Sequence, residues 1–488
     1  METLELNLNG AQLRALLPIF FLCAMVLVSL VSSGYRIRGS LQRSLGLFSF
    51  VVFVILNFIN LPYPDTAILG TSLFVGMLTK VSSIVVGVLA AAACVFVDEE
   101  DHPEWLPLLS IAVIGLSLLV GARDWVSFFI YLETFSMPSY VLASLRLKKD
   151  GGFESGLKYL MMGAFSSAIF LLGITLVYGF SGSFDFLSIL ETIRSANPES
   201  PVGLLYAGFS LIVVSIGFKV ALAPFHMWAP DVYQSAPAAM ASFLASAVKF
   251  AVFVAAFAAF SQTGILQIPF LQASMSAFGI LSILVGNLMA LRQSNLRRMI
   301  AYASVASAGN AALVFAVGPV GLNSVLVYLA IYGLNIVALF ALFEWAAREN
   351  GLPSSSQADL GCLSRAIRGK PLAMTALGIV LFSLVGLPPL PGFFGKFLII
   401  RDLLRADLFI EAGALLLGSL LSLAYYLKIF VPIALETGAI DGKKAALAGP
   451  SSTGSLAGFY FATLLLMVAG FSLAGYFNLV GDTSLFLR

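Results

Sequence analysis

Fourteen apolar runs, each near the ~20 residues that a helix needs to cross a bilayer, account for most of the chain. They fall at about 11–33, 43–61, 70–97, 104–121, 125–145, 155–180, 203–230, 236–260, 268–291, 298–317, 321–346, 371–403, 408–434 and 456–480, and are called spans 1 to 14. The gaps leave no room for a soluble domain. The longest, 181–202 and 347–370, read as polar loops with Gly, Pro and Ser. An apolar share of 59% against 11% charged fits only a polytopic membrane protein. Hydrocarbon offers no partners to backbone N–H and C=O groups, so the expected fold is all-α. Span 1 is longer than a signal-peptide core and lacks a basic flank, and reads as retained.

Several chemistries are excluded. A net charge of +2 gives no basis for nucleic-acid binding. Cys23, Cys94 and Cys362 lie far apart without a CxxC, which leaves no iron–sulfur or zinc framework. His102 and His226 are too few for haem or a multi-histidine metal site. No GxGxxG or Walker pattern opens a βαβ unit, so no nucleotide is held by a known motif.

Charge is distributed unevenly between the two ends of the spans. The loops after spans 1, 5, 9, 11 and 13 hold fifteen Lys and Arg residues, among them Arg36, Arg146, Arg298 and Lys443, and the opposite side holds six. The positive-inside rule puts the fifteen in the cytoplasm and both termini outside. Six lysines fall within spans: Lys80, Lys158, Lys219, Lys249, Lys396 and Lys428. A lysine at mid-bilayer costs about 2.5–3.5 kcal/mol on insertion scales, so it is normally paired or lines a wet cavity. Lys158 and Lys428 lie near span ends and can snorkel. Lys249 is too deep for that. Lys80, with Thr79, Ser82 and Ser83 beside it, reads equally as a satisfied structural lysine or a site.

Glu133 lies nine residues after Asp124 in span 5, ~13 Å deep at ~1.5 Å per residue. Spans 5 and 7 run the same way, which makes Lys219 its natural partner. Pairing holds Lys219 protonated; separation lets burial drive the proton off. The alternative is a fixed structural ion pair.

Two spans are interrupted. In span 7 Lys219 precedes Pro224 by five residues, and His226 lies just beyond, as a packing residue or a relay. In span 12 Pro388, Pro389 and Pro391 break the run, and Lys396 follows Pro391 by five. Proline removes a helical donor and clashes with the preceding turn. A broken helix beside an ionisable group is how many transporters build an ion site. The breaks are fourth in spans 4–8 and fourth in spans 9–13, and five is odd, so the pattern predicts two inverted five-helix repeats. The expected division is 1–103 for three leading helices, 104–260 and 268–434 for the repeats, and 435–488 for a last helix.

GFKVALAPFHMWAPDVYQSAP, Lys249, NLMALRQSNLRRMIAYASV and GLPPLPGFFGKF resemble the antiporter-like membrane subunits of respiratory complex I, the N type above all, and the related Mrp-type antiporter subunits. The resemblance spans about 104–434. It implies proton translocation within an NADH:quinone oxidoreductase, with the family's glutamate and lysines falling on Glu133, Lys158, Lys219, Lys249 and Lys396. It implies no cofactor in this chain, with NADH, flavin, iron–sulfur centres and quinone belonging to partner subunits. The expected partners are antiporter-like neighbours, small membrane subunits and lipid, in a bacterial inner membrane. The family's span 10 motif resembles SSISHLGY, but this chain has Ser307 at the histidine position. A proton path there needs water held by Ser304, Ser307 or Tyr302. The competing readings are a sodium/proton antiporter subunit and a structural spacer of the membrane arm.

Overall fold

The computed structural model describes residues 9–35, 39–68, 72–97, 104–145, 152–196, 202–350, 359–437 and 453–479. Arg36, Arg38, Arg146, Lys148, Lys149, Lys443, Lys444 and Arg488, part of the charge reading, lie outside the described residues, as do His102 and much of 435–488.

The chain opens with α1 (Gly10–Gly34) and α2 (Gly39–Asn60), followed by a hairpin of β1 (Thr66–Ile68) and β2 (Leu73–Val75), antiparallel with Ala67 opposite Phe74. Then come α3 (Met77–Cys94), α4 (Trp105–Leu119), α5 (Trp125–Ser144), α6 (Gly152–Ser181), α7 (Phe186–Ser195), α8 (Val202–Lys219) and α9 (Trp228–Ser235). Next is α10 (Ala238–Phe243), which runs through a π turn, Leu244–Val248, into α11 (Lys249–Gln262). The rest are α12 (Pro269–Leu291), α13 (Leu296–Val317), α14 (Leu322–Glu349), α15 (Leu360–Ile367), α16 (Pro371–Val385), α17 (Pro391–Arg405), α18 (Phe409–Thr437) and α19 (Thr453–Leu479).

Eleven helices are long and apolar enough to cross a membrane, and three shorter apolar stretches, Trp105–Leu119, Pro371–Val385 and Leu456–Val468, accompany them among the described residues. The fourteen spans of the sequence are therefore present, with corrections at their edges. Span 3 begins at Met77, not 70. Its first residues form β2, because Leu73, Phe74 and Val75 are strand formers and Gly76, in extended conformation, caps the helix that follows. The loop 181–202 contains α7, and the loop 347–370 contains α15. Both are short amphipathic helices started by side-chain caps: Asp185 accepts from the Ser188 N–H and Asp359 from the Cys362 N–H.

The apolar stretches of α10–α11 and of α14 are wholly buried and that of α13 nearly so, whereas those of α1, α2 and α18 have only about a third of their residues buried or fewer. Lipid gives no hydrophobic drive for helix–helix contact, so packing relies on close approach at small residues. α12 and α13 meet that way. A Cβ on Gly286 would lie 2.5 Å from the Ala306 nitrogen, and one on Gly309 2.6 Å from the Gly279 carbonyl.

The bundle has two distinct ends. One carries the hairpin, Asp65, Asp124 and Asp402. The other carries Asp231, Arg297, Arg298 and Glu344. Arg297 reaches Glu344 at 3.4 Å, and Glu344 also meets Arg348 at 3.1 Å. Glu344 is buried although the sequence places it near a span end.

Candidate functional site along a line of buried lysines

The first break separates α8 from α9. Lys219 is the last residue of α8, where the negative end of the helix dipole favours a cation. Ala221 takes a left-handed conformation (φ 58°). The peptide bond before Pro224 is cis. Groups freed by the break are met from outside it: Trp228 Nε1 donates to the Phe218 carbonyl at 2.9 Å, and the Ala223 N–H donates to Ser282 Oγ at 2.9 Å.

Lys219 Nζ has three oxygen partners, all on α5: Glu133 Oε1 at 3.3 Å, Ser136 Oγ at 2.9 Å and Tyr140 OH at 2.9 Å. Spacings of three and four put these residues on one helical face. Ser167 of α6 donates to Glu133 Oε1 at 2.6 Å. The Lys219 side chain is 1% exposed and that of Glu133 17%. At 3.3 Å and an effective dielectric of 20 their attraction is about 5 kcal/mol.

Lys249 follows the π turn, an irregularity often found at functional sites. Its ammonium donates to both the carbonyl and the hydroxyl of Ser304 on α13, each at 2.5 Å, and lies 5.5 Å from the centre of the Tyr332 ring. Ser304, one of three residues expected to hold water on span 10, is thus a direct lysine partner. Ser307 lies one turn further on, beside the Tyr328 hydroxyl, which accepts from Asn310 Nδ2 at 3.0 Å.

The second break separates α16 from α17. Gly386 ends α16 in a left-handed conformation (φ 89°), Pro391 opens α17, and the Pro388–Pro389 bond is cis. Lys396 donates to the Val385 carbonyl at 2.8 Å and to Ser419 Oγ at 3.0 Å. Among the described residues no carboxylate lies within ion-pair distance of it.

Lys158 stands apart from these three. It is half exposed, 2.7 Å from Glu154 and 3.3 Å from Asp231. Asp231, on α9, also meets Arg298 of α13 at 2.7 Å. His226 is buried beyond the first break, its ring 6.2 Å from that of Tyr302. Lys80 is buried and bound to the Tyr63 carbonyl at 2.8 Å and Asp65 at 3.5 Å, at the hairpin end. Lys428 snorkels to the Gln293 carbonyl at 3.1 Å.

None of the deep lysines turns toward lipid. Each ends on oxygen. Asn323 Oδ1 and Asn335 Oδ1 on α14 are buried without a partner, and such atoms call for internal water. Sequence reasoning missed Asp231 and Asp402. Both are carboxylates near helix ends, where acidic residues are ordinary and burial is not visible.

Fold and site define a polytopic helical membrane protein of the transporter type, with two interrupted helices and buried lysines at or beside the breaks. The family model described as NADH:quinone oxidoreductase/Mrp antiporter, TM matches residues 122–422, and the chain belongs to this family. NADH-quinone oxidoreductase subunit N of Erythrobacter litoralis (strain HTCC2594) is 33% identical over 431 residues, covering 86% of this chain and 85% of that one. Among solved structures, a chain of respiratory complex I from Thermus thermophilus with bound Aureothin is 27% identical, with a TM-score of 0.78, covering 96% of this chain and 99% of that one. A chain of the Mrp complex from Dietzia sp. DQ12-45-1b, 19% identical with a TM-score of 0.77, covers 98% of this chain and 100% of that one and shares the fold.

Proposed function

We propose that this chain is a proton-translocating membrane-arm subunit of an NADH:quinone oxidoreductase. The observation that carries the reading is the Glu133–Lys219 pair at the first helix break. A buried cation is held there by one carboxylate and two hydroxyls, all on α5, so moving α5 by an ångström or two makes or breaks its contacts.

By charge bias the Asp231 end faces the cytoplasm and both termini face out. Protons enter near Lys158 or along α10 and α11, load Lys219 or Lys249, pass to Lys396 and leave on the outer side. The units that do this are residues 104–260 and 268–434, with 1–103 and 435–488 flanking them. Pro224, Pro389 and Pro391 keep the breaks open, and His226 and Ser307 line the path. The driving energy comes from redox chemistry in partner subunits, which hold NADH, flavin, iron–sulfur centres and quinone. Those partners include antiporter-like and small membrane subunits of a bacterial inner membrane.

The experiment is Lys219→Ala and Glu133→Ala in the assembled complex, with proton pumping and electron transfer measured in proteoliposomes. Both variants are expected to lose most pumping. Full pumping in either would overturn the scheme.

A further inference from the structure

A buried carboxylate at the hairpin end has no part in the path above. Asp402 on α17 accepts a hydrogen bond from Ser324 Oγ of α14 and is paired with the Arg401 guanidinium at 2.8 Å. Its site is unfavourable in two ways. Burial strips a carboxylate of its hydration. It also lies in the last turn of α17, where the negative end of the helix dipole repels an anion. A group kept there against both effects calls for a role.

Asp402 lies seven residues after Gly395, two turns on, and so on the same face. Gly395 is where α17 presses on Tyr328: a Cβ there would lie 2.9 Å from the Tyr328 Cα. On α14, Ser324, Tyr328 and Tyr332 follow at intervals of four and form one stripe. Its inner end is the Tyr332 ring beside Lys249, its middle the Tyr328 hydroxyl beside Ser307 and Asn310, and its outer end Ser324 on Asp402. A stripe of buried hydroxyl-bearing side chains thus extends from the Tyr332 ring beside Lys249 to the hairpin end of the bundle, and none of its contacts above is with Lys396.

We propose that Asp402 is a proton-release site at the end of a second branch, leaving the lysine line at Lys249. This rests on the proton-translocating reading above. Along the stripe each hydroxyl oxygen accepts a proton and gives up its own, with water spanning each turn. The arriving proton bonds to an Asp402 carboxylate oxygen and neutralises it. The pair with Arg401, whose side chain is 35% exposed, then opens. Outer water takes the proton from the carboxyl group, and the pair with Arg401 closes again.

The test uses the whole complex in proteoliposomes and separates protons moved from electrons transferred. Asp402→Asn is expected to lower the proton-to-electron ratio, by less than Lys219→Ala because the exit through Lys396 remains, and Asp402→Glu to restore it. Redox-difference infrared spectra should show a carboxyl stretching band that disappears in Asp402→Asn and shifts in Asp402→Glu. If Asp402→Asn keeps the full ratio while Lys219→Ala lowers it, the release site is wrong and the proposed function stands. If Lys219→Ala also keeps the full ratio, the proposed function falls and the release site with it. If Asp402→Asn does not assemble, the Glu variant decides: a shifted band supports the site, and an unshifted spectrum overturns it.

Discussion

The Lys396 ammonium donates to the Val385 carbonyl at 2.8 Å, so a cation on the second half of a broken helix closes the open end of the first half. In the other break the lysine is itself the last residue of the first half, Lys219 of α8. Both arrangements place positive charge at the negative end of an interrupted helix. In both, the second contact is a hydroxyl from a neighbouring helix, Ser136 or Ser419.

Lys396→Met keeps the volume but removes the donor. It leaves the buried Val385 carbonyl without its partner, a cost of about 1–3 kcal/mol, and removes a proton carrier. The expected result is a complex that assembles with reduced thermal stability and lower pumping. Lys396→Arg retains charge and donors and should keep more of both. Blue-native gels and acid uptake by vesicles measure the two effects, and equal pumping in Met and wild type would sink the assignment.

Glu133→Gln preserves shape and the contact with Ser167 while removing about 5 kcal/mol of attraction on Lys219. Breaking one side of a buried pair typically costs 3–5 kcal/mol when the other charge stays. Ser136 and Tyr140 still accept from the Lys219 ammonium, which offsets part of that cost. Pumping should therefore fall at least tenfold with assembly retained. The double variant Glu133→Gln/Lys219→Met should be no worse than Lys219→Met alone. Additive losses would mean that the two residues act independently.

Span number, the two breaks and the deep lysines were legible because apolar length and stranded charge are local properties of a sequence. Glu133 with Lys219 followed from matching depth and direction. Partners that depend on helix rotation were not legible. Ser304 under Lys249 and Ser419 under Lys396 are serines in apolar runs like many others, and only the packing of α13 and α18 singles them out. The π turn before Lys249 has no sequence mark, since LASAV reads as ordinary helix. Lys80, balanced between two readings in the sequence, binds the Tyr63 carbonyl and Asp65 at the hairpin end, away from the line of lysines.

Asp231 joins α6 to α13 through Lys158 and Arg298. The Lys158 side chain is 50% exposed and that of Asp231 31%. Exposed pairs of this kind contribute about 0.2–1 kcal/mol, so Asp231→Asn should leave assembly and thermal stability near wild type. If the cluster guards proton uptake, the same variant changes the pumping rate severalfold, with a weaker dependence on salt than wild type. An unchanged rate at every ionic strength would reduce Asp231 to a surface contact.

Gly392 is where the second break tolerates no side chain. Its N–H donates to Ser383 Oγ at 3.0 Å, which gives the first turn of α17 a partner on α16. A Cβ at this position would collide with the Ser383 carbonyl oxygen, a backbone atom that cannot swing aside. Gly392→Ala must therefore push the two half-helices apart, an overpacking cost of about 1–3 kcal/mol. The same displacement carries Lys396, one turn further on, away from Val385. The expected phenotype is loss of both stability and pumping, from a site that itself carries no proton. Ser383→Ala removes the hydroxyl but not the carbonyl, so it should cost about 1 kcal/mol and leave the collision in the double variant. Thermal denaturation of the purified complex orders the variants: wild type, then Ser383→Ala, then Gly392→Ala. A Gly392→Ala complex as stable as wild type would show that the half-helices are not packed this closely.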